Sequence, residues 1–300
     1  MFDAKLAQQI DQSTVEGIEI SYPLIQWAYG DAKLAKHGGV EGAGGWFIAT
    51  SNMPGGVRDD LTASMLKAGW VEDSLTLASG SELAGLYAQQ MTFSVINMRK
   101  RWRATDGQRT AYFAWGWDEY EKAVAEYGRA TSQIHVQVMI KGLEEFSPFV
   151  ITMSGSAAMA FEGSRKSAGV LTRFQATVVA AANAATRGYR WPYRAFWLTV
   201  AAATDGKGRP QFTEVGKGKN TTHVVLPVAV GLPGDLKGVD LDQFALDKAQ
   251  FLQAQALFGE SMDWKAAWDN IAPEKSDVNV SSDERYLSDD LAAVAADAGM

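Results

Sequence analysis

Between Thr92 and Trp117, two runs rich in β-branched and aromatic residues flank Asp106-Gly107, a dipeptide suited to the centre of a tight hairpin turn. With those two residues as the turn, Arg103 faces Thr110, Arg101 faces Tyr112 and Arg99 faces Ala114. Trp102 then faces Ala111, Lys100 faces Phe113, Met98 faces Trp115 and Ile96 faces Trp117. Side chains alternate between the faces of a strand. One face therefore carries Ile96, Met98, Trp102, Phe113, Trp115 and Trp117, interrupted by Lys100, and has the character of a core. The other carries Arg99, Arg101, Arg103 and Tyr112. The expected fold class is α+β, with an antiparallel β-rich core for which an OB-like barrel is one arrangement. Like charges spaced about 6.6 Å along one strand repel unless something negative lies opposite. The row is read either as a phosphate-tracking strand or as a solvated edge protected by its cations from edge-to-edge pairing.

Elsewhere, Trp46-Phe47-Ile48-Ala49-Thr50 follows a glycine-rich turn, Gly38 to Gly45, and reads as a buried strand; Ile18–Tyr22 reads as a short one. Asp59–Trp70 and Asp118–Tyr127 read as helices, with acids in their first turns. Ser132–Lys141, Pro148–Met153, Phe196–Thr204, Gln211–Val215 and Thr221–Val230 read as strands. The alternation in Ser132–Lys141 puts His135 on its less apolar face, in a structural role. The Ala-rich stretch near 156–187 reads as a helical insertion in a core spanning 91–230. Residues 1–90 form an acidic N-terminal region packing on that core. Two amphipathic helices fill 231–272, and 273–300 form an acidic tail expected to be disordered.

The total charge of −7 is unevenly placed: 1–90 carry −6, 91–220 carry +8 and 221–300 carry −9. The middle zone holds 11 of the 13 arginines and 18 of the 32 aromatics. Cations that neutralise phosphates, beside rings that stack on unpaired bases, are the components of a single-strand surface. The densest mixture is Arg187-Gly188-Tyr189-Arg190-Trp191-Pro192-Tyr193-Arg194-Ala195-Phe196-Trp197, where Pro192 blocks a helix. Tyr189, Trp191 and Tyr193 are candidate stacking rings, with Arg187, Arg190 and Arg194 beside them. The alternative is that these rings pack back onto the core. Lys207, Arg209, Lys217 and Lys219 add cations in turns, without the spacing of a phosphate-binding P-loop.

The chain has no cysteine, which removes disulfides, thiolate metal sites and a cysteine nucleophile. Three histidines far apart in sequence give no metal-site spacing, so no metal or other cofactor is expected. The acids Asp118, Glu119 and Glu121, and the pair Glu144-Glu145, are more simply solvated than catalytic, and no enzyme is expected. The start, Met1-Phe2-Asp3-Ala4-Lys5, leads into no apolar run, and no segment is long and apolar enough for a membrane span. The expected compartment is the cytoplasm.

A basic, aromatic β-rich core followed by an acidic C-terminal tail resembles the single-stranded DNA-binding proteins of phage and plasmid type. The likeness is one of layout over roughly residues 91–300, and the chain ends Ala295-Ala296-Asp297-Ala298-Gly299-Met300, without the acidic-Pro-Phe ending of the bacterial proteins. It implies non-enzymatic binding of single-stranded DNA, or RNA, in replication or recombination. It also implies a tail that competes for the basic groove or recruits a protein partner. Homo-oligomerisation is compatible with it. Two other readings use the same residues: a virion-type assembly protein with aromatic subunit contacts, and a carbohydrate-binding module stacking on sugars.

Overall fold

The computed structural model describes residues 21–30, 36–37, 40–76, 82–106, 109–163, 167–187, 189–216, 221–236 and 238–269. Its strands are β1 (Leu24–Ala28), β2 (Lys36–His37), β3 (Val40–Glu41), β4 (Gly45–Ala49), β5 (Val71–Thr76), β6 (Glu82–Ala88), β7 (Gln90–Thr105) and β8 (Thr110–Ala114). After these come β9 (Ala130–Ile140), β10 (Phe149–Ser154), β11 (Leu198–Ala202), β12 (Phe212–Val215), β13 (Thr222–Val225) and β14 (Pro227–Ala229). The helices are α1 (Arg58–Lys67), α2 (Trp117–Tyr127), α3 (Gly155–Glu162), α4 (Val170–Phe174), α5 (Ala180–Ala185), α6 (Lys248–Glu260) and α7 (Met262–Asp269). A π-helical stretch, Gln175–Val179, joins α4 to α5. None of the helices among the described residues is long and apolar enough to cross a membrane.

The chain is mixed α and β, built on one large curled sheet that is antiparallel except where β1 runs parallel to β10. Strand order is β14-β11-β7-β9-β10-β1-β4-β6-β5, with β8 added to the far end of β7. The acidic N-terminal strands thus extend the same sheet as the basic ones. β12 and β13 form a separate hairpin, tied to the sheet where the Trp27 indole donates to the Val225 carbonyl at 3.1 Å. The Trp46 indole donates likewise to the Val200 carbonyl at 3.1 Å, and the two rings meet edge to face with centroids 4.8 Å apart. An indole N–H needs such a partner when it is buried.

One face of the sheet presents Phe93, Val95, Val136, Val138, Ile151, Trp46 and Ile48 to α1, α3, α4 and α5, where Leu61, Met65, Phe161, Phe174 and Val178 complete the main core. The opposite face is divided. At one end Phe47, Tyr87 and Leu75 form a small cluster. At the other, Ile96, Met139, Trp197 and Leu246 pack beneath Ala254 of α6. Between the two lies a polar strip.

Two expectations about β7 and β8 are corrected. The observed pairs are Arg101 with Ala114, Trp102 with Phe113 and Arg103 with Tyr112, a register two residues from the expected one. The cause is a longer turn: Asp106 N–H donates to the Arg109 carbonyl at 3.3 Å, and the Asp106 carboxylate accepts from the Arg109 backbone and guanidinium at 2.8–3.1 Å. A shift of two leaves every side chain on its expected face. Ile96, by contrast, leaves the face of Met98 and Trp102. The β7–β9 ladder skips it between Val95 and Asn97, and this bulge turns its side chain under α6.

The run Thr221–Val230 is two strands rather than one, since β13 pairs with β12 and β14 with β11. β1, β5 and β6 were not anticipated. The expected strand at Ile18–Tyr22 and the glycine-rich turn lie partly outside the described residues, and the acidic tail lies wholly outside them.

Candidate functional site

Where β7, β8 and β9 end, the main-core face leaves the covering helices and becomes aromatic. Trp102 stacks on Trp115 with centroids 4.5 Å apart and ring planes 7° from parallel. Tyr120 of α2 lies 4.8 Å from Trp102 and 5.2 Å from Trp117. The Trp102 indole donates to the Gly116 carbonyl at 3.0 Å, which fixes its plane. The Lys100 ammonium sits 5.1 Å from the Trp115 ring centre and forms an ion pair with Glu162. Lys100 breaks the apolar alternation because its charge is placed over an indole and against a carboxylate, a cation–π arrangement.

Trp102 and Tyr120 wall a cleft of about 560 Å³ between the sheet end, α2, α3, α4 and the β12–β13 hairpin. Ser132, Ser156, Ser167, Gln211 and Thr213 supply hydroxyls and an amide, and Arg173 and Glu214 supply one charge of each sign. Ser132 is committed: its hydroxyl donates to the Gly155 carbonyl at 3.2 Å. Arg173 is exposed in the last turn of α4. In sequence, Ser167 follows Arg165-Lys166 and Gly216 precedes Lys217-Gly218-Lys219. Those cations, including Lys217 and Lys219 of the expected site, lie outside the described residues. Trp102, Trp115, Trp117, Tyr120 and Arg173 were not among the expected site residues. The hairpin pattern places the tryptophans in a core, and Trp102 is buried in one with Ala104, Ala123 and Ala130, with Trp115 packed against it and Trp117 exposed; the signal for an unusual setting is Lys100 in their midst.

The arginine row is on the opposite face and is largely covered. Arg101 is buried; its Nε donates to the Gln133 amide oxygen at 2.7 Å, and its guanidinium lies 3.6 Å over the Tyr112 ring. Arg99 and Arg103 are half-buried. Arg99 donates to the Trp264 carbonyl at 2.8 Å and sits 4.1 Å over the Trp264 ring. It also stands 3.4 Å from His135 Nδ1. A guanidinium only donates, so Nδ1 is the acceptor and the neutral imidazole carries its proton on Nε2. Burial, aided by Arg99 and Arg101, holds the His135 pKa well below the ordinary histidine value. In place of a solvated edge or an open phosphate track, Arg101 is buried and Arg99 lies under Trp264 of α7, with Asn97, Gln137 and Thr131 buried on the same face.

In the Arg187–Trp197 segment, Tyr189 is 61% exposed and Arg187 and Arg190 are exposed beside it. Trp191 and Tyr193 turn inward. Trp191 packs near Phe196 and Phe251 and donates its indole N–H to the Thr186 hydroxyl at 3.0 Å. Tyr193 stacks on Phe174 at 6.3 Å and donates to Gln175 at 2.7 Å. Arg194 donates to Gln255 at 2.7 Å and covers the Phe258 ring at 3.9 Å. Lys207 and Arg209 are exposed in a turn held by Asp205, which accepts from the Arg209 guanidinium at 2.8 Å. The Arg209 backbone N–H at 2.9 Å, then the guanidinium and the Lys207 backbone N–H, hold the Asp205 carboxyl below its ordinary range. The structure therefore does not bring the expected residues onto one surface: the hairpin row and the Tyr189 loop belong to different elements, and the cleft is a third place.

Among the described residues, no cluster of three or more histidine, aspartate or glutamate side chains is arranged to hold a metal ion. Comparison with family models, with curated proteins and with solved structures returns no match.

Proposed function

We propose that this chain binds single-stranded nucleic acid, DNA in the first instance, without catalysing a reaction, and that bases enter the cleft walled by Trp102 and Tyr120. The observation that carries the reading is that Tyr120 and the edge of Trp102, itself stacked on Trp115, wall a cleft whose volume is that of a ligand site, with the exposed Trp117 ring on the other side of Tyr120. Rings presented at a rim offer a π-face to any base. Arg173 and the basic segments next to Ser167 and Gly216 in sequence supply the phosphate contacts. From the single-stranded DNA-binding proteins the proposal takes the mode of binding, stacking with charge neutralisation. The curled sheet does the work of an OB barrel, although it has more strands than the five of that fold.

The test is fluorescence anisotropy with labelled oligo-dT and a duplex of matching length. Tight binding to the single strand and weak binding to the duplex is expected. Trp117→Ala and Arg173→Ala alter exposed positions and should each weaken oligo-dT binding, the tryptophan change by about 1–3 kcal/mol. Trp102→Ala should weaken it further, read against its melting temperature because Trp102 also packs in the fold. Failure of the wild-type chain and of every variant to bind oligo-dT at low salt would overturn the reading.

A further inference from the structure

We propose that α6 is a dimer interface: its outward face packs antiparallel against the same face of a second copy of this chain, about a two-fold axis at the level of Ala254. The inference goes beyond nucleic-acid binding and does not rest on it.

The inner side of α6 is accounted for by the fold. Ala254 is fully buried, and Leu257 and Phe258 pack with it against Ile96, Met139, Trp197 and Leu246. A surface helix ordinarily turns its polar side chains outward, but α6 does not. Its three glutamines are half-buried and committed to the rest of the chain. Gln250 closes the capping box with Asp247 and donates to the Glu144 carboxylate at 3.1 Å. Gln253 donates to the Glu144 carbonyl at 2.8 Å, and Gln255 accepts from Arg194 at 2.7 Å. The exposed positions are Lys248, Ala249, Leu252, Ala256, Gly259 and Glu260, which share one stripe at helical spacing. Between its end charges the stripe has no polar side chain, and Leu252 near its middle is 59% exposed.

The end charges say what covers it. Lys248 is the first residue of α6 and Glu260 the last. A helix carries partial positive charge at its N-terminus and partial negative charge at its C-terminus, so both side chains sit at the unfavourable end. Neither forms an ion pair among the described residues. An antiparallel second copy reverses both defects. It sets Lys248 opposite Glu260, Ala249 opposite Gly259 and Leu252 opposite Ala256, and a two-fold axis makes every such contact twice. Each lysine then lies beside a glutamate at the negative end of the other helix. Each glutamate lies beside a lysine at its positive end. A parallel pair would set lysine against lysine. Leu252 fills the space over Ala256, and the small residues let the helices approach closely.

A cavity beside the first turn of α6 fits the same arrangement. It holds about 360 Å³ and is walled by Trp191, Phe196, Leu241, Ala245, Leu246 and Phe251. Its polar groups are engaged: the Trp191 indole donates to the Thr186 hydroxyl, which donates to the Ala182 carbonyl at 2.8 Å, and Asp247 caps α6. The cavity therefore suits an apolar side chain. Met262, the first residue past the cap at Ser261, is 52% exposed. The two-fold axis brings Met262 of the second copy to the level of Leu246, and methionine is an adaptable filler of such gaps.

The test is sedimentation velocity of the full chain without nucleic acid. One helix pair and one inserted side chain bury less than the roughly 1,200 Å² of a permanent interface, so a monomer–dimer equilibrium is expected between about 1 and 100 µM. Leu252→Glu places two carboxylates near the axis and should give a monomer with an unchanged melting temperature. Lys248→Glu and Glu260→Lys should each weaken the dimer at least about tenfold, and an equimolar mixture of the two should restore it. The chain has no cysteine, so orientation is read by oxidation: Ala249→Cys should cross-link to Gly259→Cys in a mixture, and neither to itself. A wild-type chain that stays monomeric at about 100 µM would overturn the proposal. Leu252→Glu that lowers the melting temperature without changing the mass would place the cover within the same chain, which also overturns it. Ala249→Cys cross-linked to itself would overturn the antiparallel arrangement. Oligo-dT affinity is read separately, so a chain that dimerises and binds no oligo-dT overturns the proposed function and leaves this interface standing.

Discussion

His135 illustrates what alternation can and cannot show about a single residue. The period-two pattern of Ser132–Lys141 placed it on the less apolar face, and it is there. The pattern could not show that this face is covered, because the cover comes from residues more than 120 positions later in the chain. Burial and the neighbouring Arg99 and Arg101 keep the imidazole neutral. The unfolded chain binds a proton at this position below pH about 6.5 and the folded chain does not. The unfolded state therefore holds more protons, and stability falls as pH drops below that value. The slope from one such group is at most about 1.4 kcal/mol per pH unit. Urea unfolding at pH 7.5 and pH 5.5 should show a loss in the wild-type chain that is smaller in His135→Gln. Equal losses in the two proteins would show that His135 does not titrate on unfolding.

At the scale of elements, the strongly patterned segments were legible and the weakly patterned ones were not. β9 and β10 alternate or run apolar, and α1 and α2 open with acids, so their sequences announce them. β1, β5 and β6 were missed because Leu24–Ala28 is five residues long and Val71–Thr76 and Glu82–Ala88 mix acids with small residues. β7 held a readable clue. Its apolar positions on the main-core face are odd at Met91, Phe93 and Val95 and even at Met98, Trp102 and Ala104. A strand that changes parity needs one extra residue, and the bulge at Ile96 supplies it. Deleting Ile96 should leave both halves of β7 on their present faces and cost only the side chain under α6, about 2–5 kcal/mol by urea unfolding. Deleting Arg99 should carry Arg101 and Arg103 onto the helix-packed face, and no cooperatively folded protein is expected by circular dichroism. Equal stability of the two deletions would show that the bulge does not set the register.

At the scale of the molecule, the charge map of the sequence and the surface of the fold diverge. The +8 of residues 91–220 suggested a broad basic field, yet Arg101 is buried, Arg99 and Arg194 are covered, and Arg109 and Arg209 are paired with Asp106 and Asp205. Of the eight exposed cations described in 91–220, Arg109, Lys122 and Arg209 are ion-paired with near neighbours, and Lys141, Arg173, Arg187, Arg190 and Lys207 are the others. Zone charge was legible because it is a sum over sequence; its projection onto a surface was not, because pairing and burial are set by the fold. This divergence fixes the size of the salt effect. If about three cations contact phosphates, the logarithm of the oligo-dT affinity should fall with the logarithm of salt concentration at a slope of roughly −2. Affinity would then drop by about 16-fold between 50 and 200 mM salt, far less than for a protein that tracks a strand with six or more cations. Retained binding at high salt would mean that stacking holds the strand more strongly than charge does. A flat salt response accompanied by competition from oligosaccharides would move the aromatic cleft to a sugar ligand. A slope near −5 would require a continuous basic track, which the buried Arg101 and the half-buried Arg99 and Arg103 do not present.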